Sequence, residues 1–408
     1  MKKKIISCGP FLTMPEPGRM RVVFTTTVPA AGSCAYRRAG TKRWKILKHI
    51  SGGQIKCSET THTFQLAGLA PGAEIEYRVT AVDFQGNCEE KSSHFTAFDP
   101  EKKKISFLVL ADLQFPQERR CGLIRYYCAA AEAEKCDFLV TLGDLCSRID
   151  SFRENILEDH IQLFCELGAD RRPLVCLRGN HELRGRESCR WEEFFGRPYY
   201  LFRQGAAAFL GIDSWSDQPS CNGPNFACNQ DRAFLKEEKR FVRRAVRQKS
   251  FLEAPFRIVL SHGASHSHID QFDFLGKNLR EMTDDLFRGK DPAVRLHLWI
   301  CGHIHHYIRS VPGKAECVSI SPPPQPVETP EDYVFPVVTT DGPDVQREIV
   351  PPSGIQSSAF KVTVTSEKVT VCAISEERGV IDEFSIDSNG IVTDLAGTPH
   401  HFWKSGKA

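Results

Sequence analysis

Five short polar segments, each rich in oxygen or imidazole ligands, follow one another in the second and third quarters of this 408-residue chain. They are Asp112-Leu113-Gln114, Gly143-Asp144, Gly179-Asn180-His181-Glu182, Ser261-His262-Gly263 and Gly302-His303-Ile304-His305. Most directly follow an apolar run that reads as a buried strand. Strands that deliver Asp, Asp, Asn, His and His-x-His to one edge of a sheet could build a site for two metal ions. Gln114 is the departure, because it stands where a stronger ligand is expected.

The surrounding pattern predicts two parts. Residues 1–98 read as all-β: Met20–Val28 is β-branched and partly alternating, and Thr61–Leu66 and Glu74–Val82 carry period-two patterning. Asp99-Pro100-Glu101-Lys102-Lys103-Lys104 is a charged linker, placed at 99–104. From 105 to 400 short apolar runs alternate with amphipathic stretches, the mark of an α/β layered domain. Strands are expected at 105–111, 137–142, 173–177, 207–212, 256–260 and 296–300, with helices around 122–135 and 152–167. The late alternating runs Ser358–Val364 and Lys368–Ile374 are read as completing that domain's second sheet.

Composition narrows the class. Net charge is +2, with 53 basic against 51 acidic residues, so no nucleic-acid or anionic-membrane partner is implied. No apolar stretch approaches the roughly 18 residues of a membrane span. The start, Met1-Lys2-Lys3-Lys4-Ile5-Ile6-Ser7-Cys8-Gly9, has a basic run but only two apolar residues before Ser7, short of a signal peptide's hydrophobic region. A first strand or frayed terminus, and a cytoplasmic location, are expected. The 16 cysteines are irregularly spaced without Cys-x-x-Cys pairs, which favours buried reduced thiols over zinc or disulfide frameworks.

The order Asp-x-Gln, Gly-Asp, Gly-Asn-His-Glu, His, Gly-His-x-His resembles the calcineurin-like metallophosphoesterases over about residues 105–310. The front part, with its turn at Leu69-Ala70-Pro71-Gly72 leading to Tyr77, resembles a fibronectin type III-like sandwich. Together they look like a purple acid phosphatase. The resemblance implies an N-terminal β-sandwich followed by a two-sheet α/β core flanked by helices. It implies hydrolysis of a phosphomonoester or phosphodiester, on a small-molecule or nucleotide-like substrate, by a metal-bound hydroxide. Two ions, drawn from manganese, iron, zinc or nickel, would supply the hydroxide and neutralise the phosphoryl oxygens.

By position, the resemblance assigns one ion to Asp112, Asp144 and His305, and the second to Asp144, Asn180, His262 and His303, with Asp144 bridging. His181 is expected to face substrate, stabilising phosphoryl oxygens or protonating the leaving group, with Glu182 orienting it. At Gln114 the wider superfamily has His. Purple acid phosphatases have Gly there and add a Tyr three residues after the bridging Asp, where this chain has Ser147. Gln114 is therefore either a weak or water-mediated ligand or the mark of a loosely held ion, and in the latter case the chain is a weakly active or inactive binding protein. His266 and His268 either contact substrate or belong to a polar surface loop. Arg178 either binds a phosphate oxygen or makes a surface salt bridge. His306 is expected to face solvent or to support the ligands. Oligomeric state has no signature in the sequence.

Overall fold

The computed structural model describes residues 4–114, 117–214, 232–265, 273–288, 294–314, 316–320, 333–340, 357–395 and 401–404. His266 and His268 lie outside them.

The N-terminal part is all strand: β1 (Ile6–Glu16), β2 (Arg19–Arg38), β3 (Lys45–Lys48), β4 (Ile50–Ser51), β5 (Gln54–Ile55), β6 (Glu59–Ala67), β7 (Glu74–Asp83) and β8 (Cys88–Thr96). Long β2 pairs antiparallel with β1, β3, β6 and β7. Alternate residues point inward, so Val22, Phe24, Phe64, Leu66, Tyr77 and Val79 share one core. The Tyr77 hydroxyl is buried yet satisfied, donating at 2.7 Å to the carbonyl of Asp170.

The second part begins with β9 (Lys104–Leu110), α1 (Gln117–Ala130) and β10 (Phe138–Thr141). A π-helical stretch, Arg153–Ile161, runs into α2 (Gln162–Glu166) and then β11 (Leu174–Cys176). Next come α3 (Trp191–Phe194), β12 (Tyr200–Gln204), β13 (Ala207–Gly211), α4 (Arg232–Ala245), α5 (Lys249–Leu252), β14 (Phe256–Leu260) and α6 (Asp273–Phe287). The remaining strands are β15 (Leu298–Cys301), β16 (Ile308–Ser310), β17 (Glu316–Ser319), β18 (Val337–Thr339), β19 (Ser358–Thr365), β20 (Lys368–Ser375), β21 (Gly379–Asp387), β22 (Val392–Asp394) and β23 (His401–Lys404).

Two large sheets result. The first runs β22-β21-β20-β19-β9-β10-β11-β1-β2-β7-β8, so β1, paired parallel with β11, makes the sandwich continuous with the α/β part. The second runs β12-β13-β14-β15-β18-β16-β17-β23. The sheets pack face to face. Phe107, Val109, Phe138, Val140 and Val175 of one meet Phe202, Phe209, Ile258, Leu260 and Ile300 of the other. The opposite faces are covered by helices. Leu108, Leu110 and Leu139 pack against Leu123, Ile124, Leu157 and Phe164, while Val259 and Trp299 pack against Val242, Leu279 and Met282. Both faces of the central strands are therefore apolar, which is why they appear in the sequence as unbroken apolar runs.

The late hairpin corrects the expectation of a second-sheet position. β19 pairs antiparallel with β9, from Phe360↔Val109 to Thr365↔Lys104, and so extends the first sheet. β9 is parallel to β10 on one side and offers its other edge, which β19 covers. Alternation in the sequence identifies such strands but carries no record of the edge they join.

Candidate metal centre

Every proposed ligand sits in the loop just past the carboxyl end of a strand. Asp112 follows β9, Asp144 follows β10, Asn180 follows β11, His262 follows β14, and His303 and His305 follow β15. β9, β10 and β11 are parallel, as are β13, β14 and β15, so these loops gather at matching ends of the two sheets. The His262 Nδ1 donates at 3.1 Å to the Leu142 carbonyl, fastening the second-sheet loop to the first.

The loops are drawn tight. Asp112, Asp144, His303 and His305 all have left-handed backbone, with φ of 52°, 51°, 76° and 51°. Non-glycine residues rarely adopt that region, and such strain persists where surrounding structure holds it, commonly at functional sites. Two glycines permit the approach of the loops. A Cβ at Gly179 would collide with Asp144 Oδ1 and lie 2.6 Å from Asp144 N. One at Gly302 would collide with Asp112 Oδ2 and lie 2.8 Å from the Ala111 Cβ.

Two donor groups form, and they share a residue. Single ligand atoms of Asp144, His262 and His303 lie within 4.8 Å of one another, as do those of Asp112, Asp144 and His305. Asn180 joins the first group, its Oδ1 lying 3.0 Å from His262 Nε2. With Nδ1–H given to the Leu142 carbonyl, Nε2 faces Asn180 Oδ1 and, at 3.3 Å, Asp144 Oδ2; burial opposes the charge, but Asp144 raises His262 to about 9, so Nε2 carries a proton toward these oxygens. A metal ion in the place of that proton would meet one imidazole lone pair and two oxygens, a donor set that fits it. In the second group, His305 Nε2 is 3.4 Å from Asp112 Oδ1, an oxygen that accepts no hydrogen bond among the described residues.

Burial resists ionisation of Asp144, but the imidazoles of His262 and His181 outweigh it and hold the carboxyl well below the usual range. Asp112 is likewise lowered, with His305 overcoming the effect of burial. Burial, reinforced by His262, pushes His303 down to about 3, which leaves it a neutral ligand. Glu182, fully buried, accepts from the backbone N–H of Asp144 at 2.7 Å, Leu145 at 2.8 Å and Gly179 at 2.6 Å. It thereby pins the second and third ligand loops together, an orienting part larger than the one expected for His181 alone.

His181 reaches the centre from the side. Its backbone N–H donates to Asp144 Oδ1 at 2.9 Å, and its Nε2 lies 3.7 Å from Asp144 Oδ2. Its Nδ1 lies 2.8 Å from the Ser147 carbonyl and 3.0 Å from Arg184 Nη1. Arg184 was not foreseen, although its place three residues on, one helical turn away, was the available signal. Gln114 is beside the bridging loop, its Nε2 donating to the Cys146 carbonyl at 3.4 Å.

Arg178 is committed elsewhere. Its guanidinium forms an ion pair with buried Asp213 and lies 5.1 Å from the ring of Phe234. The salt bridge is buried rather than superficial: Arg178 lies just past β11 and Asp213 just past β13, and α4 contacts them through Phe234 and Glu238. His306 is also buried and lies 3.2 Å from the Ser319 hydroxyl, so it faces the interior and not solvent. Cys176 and Cys301 are buried free thiols in strands. Among the described residues no helix is long and apolar enough to cross a membrane.

Residues 105–307 match the family model for calcineurin-like phosphoesterase. Among solved structures, the chain is similar to a purple acid phosphatase from yellow lupin (Lupinus luteus) seeds. The TM-score is 0.61 at 15% identity, covering 93% of this chain and 74% of that one. It is also similar to PhoD, with a TM-score of 0.63 at 12% identity, covering 98% and 94%. At these identities the likeness is one of fold. No curated protein matches the sequence.

Proposed function

From a chain whose residues 105–307 form a calcineurin-like phosphoesterase domain, we propose a hydrolase of phosphate esters that works at a centre for two metal ions. The observation that carries the reading is the sharing of Asp144 by two groups of donors, all buried except the half-buried His305. Asp144, Asn180, His262 and His303 would hold one ion, and Asp112, Asp144 and His305 the other. Imidazole with carboxylate and amide oxygen admits zinc, iron, nickel or manganese. Bound ions supply an activated water and charge neutralisation for the phosphoryl group.

The chain's own residues supply the rest. Glu182 and the tight glycine contacts keep Asp144 fixed between the groups. His181, anchored through its backbone to Asp144, presents its ring at the rim, where it can hydrogen-bond a phosphoryl oxygen or protonate the leaving group. Each donor group reaches three members without Gln114. This favours catalysis over a binding protein that has lost activity at that position. Gln114 is a peripheral ligand in this reading, and Gln114→His maintains or raises turnover.

The test is hydrolysis of p-nitrophenyl and bis-p-nitrophenyl phosphate by purified protein supplied in turn with manganese, zinc, iron and nickel. Turnover that Asp144→Asn abolishes supports the reading. No turnover with any metal sinks it and leaves the binding-protein alternative.

A further inference from the structure

The near-neutral charge of the whole chain conceals one strongly basic element. Residues 232–249, which are α4, the turn after it and the first residue of α5, hold eight Lys and Arg against two Glu, whereas the full chain is only +2. Lys236, Arg240 and Arg244 are exposed, at spacings of four that place them on one face of α4, and exposed Arg247 follows in the turn just past the helix. Half-buried Lys239 and Arg243 flank them. The stripe spans about 16 Å at the helical rise.

The acids of this segment do not neutralise the stripe. Glu238 is turned inward, fully buried, and accepts from the Asp213 N–H at 2.7 Å. Glu237 lies 4.0 Å from Arg197. Arg243 pairs with Asp285 and Lys249 lies 3.5 Å from Glu253, but Lys236, Arg240, Arg244 and Arg247 enter no ion pair among the described residues. Cations four apart on a helix repel one another. The helix dipole accounts for Arg243 and Arg244 in the last turn, but not for Lys236 or Arg240.

We propose that this face of α4 binds the phosphodiester backbone of a single-stranded nucleic acid. A membrane-surface helix keeps an apolar face free to insert, whereas here Val242, Ala245 and Val246 are consumed by the core. What remains is a narrow line of cations, which complements a linear polyanion. The aromatics of α4, Phe234 and Phe241, are half-buried and neither is exposed, so the contact reads charge and not bases. α4 is tied to the ligand end of the sheets, Phe234 through Arg178 and Glu238 through Asp213. Delivery of the strand to the metal centre as substrate rests on the proposed phosphoesterase reading; the binding itself does not.

The test uses fluorescein-labelled oligo(dT) and full-length Asp144→Asn protein, so that hydrolysis cannot deplete the probe, titrated over a range of salt. Binding should weaken with salt, and a variant with Lys236→Gln, Arg240→Gln, Arg244→Gln and Arg247→Gln should lower the log–log slope by about 3, four contacts at about 0.7 each. A control with Lys42→Gln, Arg43→Gln, Lys48→Gln and Lys56→Gln, on the sandwich, should keep the parent slope. In the otherwise native background the α4 variant should keep the parent's melting temperature and p-nitrophenyl phosphate turnover. Equal slopes for the two variants, or no binding by the parent at low salt, overturn the proposal. So does tighter binding to anionic lipid vesicles than to oligo(dT) that is equally lost in the α4 variant. Loss of p-nitrophenyl phosphate turnover by the parent would instead count against the phosphoesterase reading and leave the binding result standing.

Discussion

Gly179→Ala is the smallest change that should disable the centre. The new Cβ would collide with Asp144 Oδ1 and lie 2.6 Å from Asp144 N and 2.8 Å from Asp144 Cγ. Ordinary carbon contacts sit at about 3.5–4.0 Å, so one of the two loops must move by about 1 Å. Neither loop can yield freely, because Glu182 bonds the N–H groups of Gly179, Asp144 and Leu145 at once. Overpacking of this kind costs about 1–3 kcal/mol of stability, and a 1 Å misplacement of catalytic groups costs about 10²-fold in rate. Phosphatase turnover and metal content by elemental analysis are the readouts, with thermal melting alongside. Gly122→Ala is the matched control, since its Cβ meets nothing within 4 Å and it lies in α1. Alanine there should leave activity intact and add about 0.5–1 kcal/mol. A Gly179→Ala protein that binds metal and turns over like the parent would refute the tight-loop reasoning.

Other substitutions probe the supports. Glu182→Gln turns one of three hydrogen-bond acceptances into a donor facing a donor; it should cost about 1–3 kcal/mol in denaturant melts and lower turnover, and unchanged stability would contradict the pinning role. Arg178→Met takes the guanidinium away from the buried Asp213 carboxylate and should cost about 3–5 kcal/mol, most of it recovered by adding Asp213→Asn. If turnover stays lost once stability returns, Arg178 contacts substrate after all. Burial, reinforced by the Arg120 charge, pushes His160 down to about 3 from an ordinary value near 6.5. The unfolded chain therefore binds the proton first, so stability is full above about pH 6.5 and falls as pH drops toward 3. By pH 5 the loss from His160 is about 2 kcal/mol, and His160→Gln should flatten the decline of unfolding free energy by that much.

Legibility in the sequence followed the range of the interaction. β9, β10 and β14 are apolar on both faces, so their runs and the polar residues ending them were visible directly. The shared position of Asp144 was visible only through resemblance, because its partners Asp112 and His303 are 191 residues apart from one another in the chain, joined by the His303 N–H to Asp112 Oδ2 at 3.0 Å. Pairings between distant strands left no local mark. β1 binds β11, and β19 binds β9, through backbone groups that every sequence possesses. The same holds for the carbonyls of Leu142 and Ser147 that face the imidazoles. Arg178 illustrates a different gap: its type and place beside Gly179 suit phosphate, and only the fold brings Asp213 to it. The basic stripe was hidden for the opposite reason, since averaging charge over the whole chain erased it.

Asp144 serves two ions at once in the proposed centre, and metal stoichiometry tests that most directly. Protein loaded with manganese or zinc, freed of excess and measured by elemental analysis should hold two ions per chain. Asp144→Asn should reduce the occupancy of both, His262→Ala should remove one, and His305→Ala the other. A parent that holds a single ion, or an Asp144→Asn protein that retains two, would contradict the shared centre.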